Sequence, residues 1–558
     1  MNQWVRMNCS SSRVKPWIML LPILLLSCFC LNSDNDVNEF APEYPGISPW
    51  MTAHGDLDNT SPELRIAGGT LTISTRVQYS HRENEIQNPS FSSWGPGIVY
   101  SRLFRLRSGE GVELPNQIVE CDLCESWTLR DPFTLEIRLK PDVFWQKIPP
   151  VNGRLVTIED VVLSLEKLAK LDSDLQVGSL NIREIETIPS GILIHMNTPD
   201  PDILISLANG SSKILPLEHL DIEGLHPNDF VGSGPWEIQS TGSNDRFEFK
   251  ANKDYFENGY PRLDGLKILV IKDGSTRLAA FKNRVLDIGQ LPTLESIDYL
   301  HSHPEIRDFV YVDYGSGVNL LLNTQAYPFL RPRIRKALFF SIDPWTLNQD
   351  FMINSSVVNS GIPIIDSSWI LENEIWEAKL NNKTRALELL SMENPDSLLP
   401  LELLVADFGD SYLKYAEGFV NQAGSLGFGF FITPLNPTDY LEKVWVNRDF
   451  SVALGPTPPI KIPNQYLKNI VHSQGRLNIS GYQHKELDNL IERQSEEWDL
   501  SRRTNLIRSV KVHMLENAVG LMLTTNTHVW AWWPKVRGLN LNFANSEYIF
   551  WSRVWLEK

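Results

Sequence analysis

Two cysteines three residues apart, Cys121-Asp-Leu-Cys124, are the first candidates for chemistry. Such a pair can exchange disulfides, supply half a zinc site or close on itself as a clip. A thioredoxin-like pair leads into a helix, whereas Ser126-Trp-Thr-Leu129 reads as strand. Zinc needs two more ligands, and no His or Cys stands nearby. A small disulfide is the better reading outside the cytosol, with redox or metal chemistry as the alternatives. His484 opens His-Lys-Glu-Leu without a second His four residues on, so it is not the two-histidine helix of a zinc protease. GxSxG, HExxH and GxxxxGK[ST] are all absent. Carboxylates are numerous enough that counting does not exclude a glycosidase pair, but their helical spacing reads as solvated faces. A secreted hydrolase is therefore the weaker class, and neither cofactor nor metal is expected.

A different signal lies at Val231-Gly232-Ser233-Gly234-Pro235-Trp236. Gly232 and Gly234 permit backbone angles closed to other residues. Pro235 fixes its own φ and pushes Gly234 towards extended geometry. A stiff loop of this kind either carries function or is an ordinary turn with a core Trp.

The elements around it alternate. Gly68 to Ser74 reads as a strand, and Ile98 to Phe104 as a helix. Phe133, Leu135, Ile137 and Leu139 alternate with polar residues, which predicts a half-buried strand. Thr157 and Asp160 have capping-box spacing, with Val161, Val162, Leu165 and Leu168 as the stripe of the helix that follows. Strand and helix then alternate through the second half, which predicts α/β layers. With 558 residues, more than one core is required. A net charge of −17 argues against nucleic acid, whose phosphates need clustered Lys and Arg.

The N-terminus has the form of an export signal: Arg6, Arg13 and Lys15, then an apolar run from Trp17 to Leu26 that is short and broken by Pro22. Leu25-Leu26-Ser27-Cys28 resembles the bacterial lipobox, in which the cysteine is lipidated and becomes the new N-terminus. Ordinary signal cleavage is the alternative. Residues 28–64 are polar and proline-bearing, and read as a tether.

In this order the pieces resemble the family 5 extracellular solute-binding proteins, receptors of ABC importers for dipeptides, oligopeptides and nickel. Glu125-Ser-Trp127 with Phe133 to Trp145 is similar to the family's "AESW…F.LR..V.W" block. Thr157 to Val161 is similar to "TAEDV", and Val231 to Trp236 to "VGTGPY". Asn252 to Asp264 is similar to "N.DY..G.P.LD". Val318 to Asn323 with Arg331 to Asp343, and Gly481-Tyr482 with Leu487-Asp488, complete the series. Each is weak alone, but together and in sequence they are specific.

The resemblance implies an α/β, two-lobed periplasmic-binding-protein fold of type II. Lobe I, large and with an extra subdomain, takes residues 65–290 and a return segment, 526–558. Lobe II takes 291–525. A hinge crosses twice, near Ile288–Leu291 and near Thr524–His528. It also implies a monomeric receptor that hands its solute to an ABC permease while lipid-anchored at Cys28 on the outer side of a membrane. A solute sensor is the alternative use. Cleft residues expected from the family segments are Phe91, Trp94, Gly232, Gly234, Trp236, Asn323, Gly455, Tyr466 and Trp530.

One departure bears on the ligand. Peptide-binding members pair an aspartate with the ligand's free amine in a "GW.AD" segment. Here that segment runs Gly455-Pro-Thr-Pro-Pro459-Ile-Lys-Ile-Pro463-Asn-Gln-Tyr466-Leu467, with Pro459 at the aspartate's place. That weakens recognition of a free amine. The chain's 17 Trp raise an oligosaccharide as the alternative to a peptide, since flat indole faces suit sugar rings, although most Trp simply pack.

Overall fold

The computed structural model describes residues 68–76, 94–107, 112, 114–170, 180–220, 230–240, 246–352, 356–393, 400–407, 410–539 and 549–557. All fall in one unit of chain, Pro42–Lys558. Cys28, the leader, the tether and Phe91 lie outside the described residues.

Two long strands, Arg307–Leu322 and Leu521–Trp532, run antiparallel at the centre of a six-stranded sheet. Its order is Ile288–Leu291, Leu521–Trp532, Arg307–Leu322, Val452–Gly455, Leu401–Ala406, Phe430–Leu435. The last two pairings are parallel. The long strands change character midway. Arg307 to Tyr314 exposes many of its side chains, whereas Gly317 to Leu320 is continuously buried, as a strand covered on both faces must be. At the change the register slips: Asp313 faces Asn526, and the next pair is Gly317 with Thr525. Tyr314, Gly315 and Ser316 are thus left out of the ladder, a bulge that bends the strand. Gly317 is required there, because a Cβ would meet the Thr524 carbonyl at 1.9 Å.

The bulge also separates the cores. Val318, Leu320, Leu521 and Leu523 pack with the helices of the second half. Ile288 and Trp530 pack with the first-half sheet, and Leu291, Val529 and Ala531 with Phe281 and Trp533. Ile288–Leu291 is an edge strand paired with Val529–Trp532. Along the long strands the packing changes core between Phe309 and Val318, and between Leu523 and Val529.

In the first half, Thr70–Thr75, Gly265–Val270, Arg246–Ala251 and Trp236–Ser240 form one sheet. A second, antiparallel sheet of Cys124–Asp131, Thr134–Leu139, Gly191–Met196 and Ile182–Ile188 makes the subdomain. Leu135 and Ile137 are buried as the alternation requires. Phe133, just before the strand, is 43% exposed. On the opposite face Glu136 is buried and paired with Arg130 and Arg138. The capping box forms: Thr157 N donates to Asp160 Oδ2 at 2.8 Å, and Asp160 N to Thr157 Oγ1 at 3.2 Å. Val161 and Leu165 fill the core under the helix Ile158–Lys170, with Val162 and Leu168 half-buried. The helix expected over Ile98–Phe104 does not form. A short 3-10 turn, Pro96–Val99, leads to the strand Phe104–Leu106, which pairs with Val119–Cys121. Burial of every side chain from Ile98 to Phe104 favours that pairing over a helix with a solvated face. Cys121 and Cys124 are joined as a disulfide at the foot of this hairpin.

Candidate functional site

The bulge places Asp313 where the two halves meet. Its buried carboxylate accepts Lys461 Nζ at 2.7 Å and Ser316 Oγ at 2.8 Å through Oδ2, and Gly315 N at 3.0 Å through Oδ1. Burial alone would push this carboxyl up, but Lys461, His528 and Ser316 outweigh it and the net direction is down. It is therefore an anion at neutral pH. Lys461 keeps 36% of its side chain exposed.

His528 stands opposite Tyr311 in the ladder, their rings 6.0 Å apart and near parallel at 14°. Gln290 Nε2 lies 3.2 Å from His528 Nδ1. Burial lowers the imidazole's pKa. Asp313 opposes that, Lys461 and Arg76 reinforce it, and the result is a neutral ring at neutral pH. Asn526 donates to Ser316 Oγ at 3.2 Å. Burial drives the Tyr412 phenol up to about 12, against the pull of Asn526 and Arg76. Arg76 follows the strand Thr70–Thr75 and is exposed. A carboxylate, the cation paired with it, a neutral imidazole, amides and hydroxyls thus converge from both halves. This set offers fixed hydrogen bonds and a half-exposed cation.

The same proline-rich segment makes a second junction three residues further on. Asp202, in the subdomain, pairs with Arg503 Nη1 at 2.7 Å, both side chains buried. Asn464 N donates to Asp202 Oδ2 at 2.8 Å, and Asn464 Nδ2 to Asp200 Oδ1 at 2.8 Å. Arg503 also donates to Asn464 Oδ1 at 3.1 Å. Burial, then the charge of Asp202, raise Asp200 to about 6. Ile364, Ile365, Trp369, Ile462 and Ile507 join the subdomain's core, and Gln117 N donates to the Ile365 carbonyl at 3.0 Å.

The residues expected from sequence are mostly placed elsewhere. Gly232 and Gly234 pack on backbone, where a Cβ would meet the Val99 carbonyl at 1.8 and 2.7 Å. Gln146 and Asn252 both donate to the Gly234 carbonyl. Trp236 is fully buried. Trp94 stacks on Trp530 at 5.5 Å and meets Trp551 edge-on at 5.4 Å. Trp530, 1% exposed, is core. Asn323 closes the end of its strand, donating to the Phe450 carbonyl at 3.0 Å. Gly455 is buried against Tyr440. Tyr466 borders a cavity of about 40 Å³ with Asn319, Ser360 and Trp445, room for a few waters at roughly 10–15 Å³ each. Asp313, Gln290, Lys461 and His528 were not singled out from sequence. Asp313 and His528 share their strands with other polar residues, such as Arg307, Asp308 and Ser316 or Thr524 to Thr527, so periodicity does not mark them. His484, Glu486 and His513 are also brought together, a grouping that the sequence does not announce.

Comparison with known proteins gives a consistent picture. The family model for bacterial extracellular solute-binding proteins, family 5 middle, matches residues 119–477. The chain is 23% identical to the nickel-binding protein NikA of Staphylococcus aureus, over 70% of this chain and 77% of that protein. It is 20% identical to the oligopeptide-binding protein OppA of Bacillus subtilis, over 56% of this chain and 59% of that protein. Among solved structures it resembles DppA of Helicobacter pylori in complex with the peptide STSA. That match has a TM-score of 0.70 and 19% identity, and covers 88% of this chain and 99% of the other.

Proposed function

We propose that this chain, which belongs to the family 5 bacterial extracellular solute-binding proteins, captures a peptide-type solute between its lobes and gives it to an ABC permease. The family consists of binding proteins rather than enzymes. The observation that carries the ligand class is the pair Lys461–Asp313, whose cation is 36% exposed and makes one hydrogen bond at 2.7 Å to the carboxylate. Its remaining donors suit a ligand carboxylate. Pro459, exposed nearby, supplies no partner for an amine. Recognition therefore rests on the solute's carboxyl end rather than its amino end. The oligosaccharide alternative has less support, because Trp94, Trp236 and Trp530 spend their faces on packing.

Binding draws the halves together across the bulge and shifts an open–closed equilibrium that a permease reads. Cys28, after an export-type leader, is the proposed lipid anchor. Among the described residues no helix is long and apolar enough to cross a membrane. Native mass spectrometry of the purified protein, with identification of whatever denaturation releases, tests the ligand class. A carboxylate-bearing peptide supports it, and a neutral sugar contradicts it. Cys28→Ala is expected to free the protein from membranes, and continued anchoring would refute the lipid site.

A further inference from the structure

Away from the hinge, the helix Lys485–Glu496 starts at His484, with Glu486 in its first turn. The helix Leu500–Glu516 returns against it and brings His513, in its last turn, alongside. One ligand-capable atom from each of His484, Glu486 and His513 lies within 4.8 Å of the others. The two imidazoles are 4.6 Å apart, inclined at 58°. His484 and Glu486 are exposed and His513 is half-buried, so the cluster opens to solvent on one side. Tyr482 stacks on His484 at 6.0 Å, and its hydroxyl lies 3.2 Å from His513 Nε2.

Two nitrogens and a carboxylate oxygen, with one side open, make a three-ligand zinc set completed by water. With the Tyr482 hydroxyl at His513 Nε2, Nδ1 would be the ligating atom and Tyr482 the outer partner that fixes the imidazole. We infer that His484, Glu486 and His513 form a zinc(II) site on the face of lobe II, separate from the solute site. It would tie the loop before one helix to the end of the next.

The test is calorimetric titration of the full chain, stripped with chelator, with zinc chloride, and with cobalt(II) as an optical probe. The expected result is a site whose affinity drops at least about tenfold in His484→Ala and in His513→Ala, and less in Glu486→Gln. Cobalt should give the intense visible bands of four-coordination in the wild type and lose them in both histidine variants. Zinc should raise the melting temperature of the wild type alone. His513→Ala also disturbs packing under Tyr482, so the exposed His484→Ala is decisive. If wild type and His484→Ala bind zinc alike, the inference is wrong and the cluster is only stacked rings.

Discussion

Lys461–Asp313 and Arg503–Asp202 are both ion pairs of 2.7 Å, and one short stretch, Lys461 to Asn464, takes part in both. Their surroundings differ. The cation at the hinge is 36% exposed and its carboxylate 8%; at the subdomain junction the figures are 2% and 0%. At the junction the acceptors of Asp202 are taken up by Arg503 and Asn464, which leaves nothing to offer a ligand. At the hinge, Lys461 has donors left over and water at hand. A buried pair with every group satisfied holds structure, while a half-open pair with spare donors can exchange solvent for solute.

The largest effect should come from breaking the buried pair. Arg503→Ala leaves Asp202 buried without its cation, which costs about 3–5 kcal/mol, readable in urea denaturation. A loss below about 1 kcal/mol would place that pair with ordinary surface bridges. Lys461→Ala should act the other way round. Solute affinity should fall at least about tenfold, the worth of a charge-assisted hydrogen bond of about 1.5–3 kcal/mol. Its cost in stability should stay well below that of Arg503→Ala.

Asp200 gives a sign that can be checked. Its folded value of about 6 lies above the ordinary 3.8, so the folded state holds the extra proton between those values. Its contribution is fully present at low pH and is lost as pH rises through about 6. Asp200→Asn should therefore stabilise the protein at pH 7.5, by on the order of 1 kcal/mol, and flatten the pH dependence between about 4 and 6. No gain at pH 7.5 would show that the carboxylate is not strained. The smallest effect is a titration shift. Lys461 lowers His528, so Lys461→Ala should raise the imidazole's pKa in NMR titration, and an unchanged value would separate the two groups.

The sheet-forming segments were legible because alternation and capping are local: Leu135 and Ile137, or Thr157 with Asp160, reveal themselves within a few residues. The motif order even carried the two-lobed architecture. The site was much less legible. Asp313 and Lys461 are far apart in sequence, and only the bulge at Tyr314–Ser316 turns one towards the other. Glycines and indoles drew attention as loop and aromatic signals, yet Gly232 touches backbone and Trp530 a neighbouring indole. The pairing of Ile288–Leu291 with Val529–Trp532 was equally hidden, because no local signal encodes that partner.

Calorimetric titration of wild type and Lys461→Ala with the solute recovered from the native protein, free and amidated at its carboxyl end, is the most direct measurement. Wild type should prefer the free acid by about tenfold or more, and Lys461→Ala should lose that preference while still melting as a folded protein. Equal affinity of wild type for acid and amide would contradict recognition at the hinge.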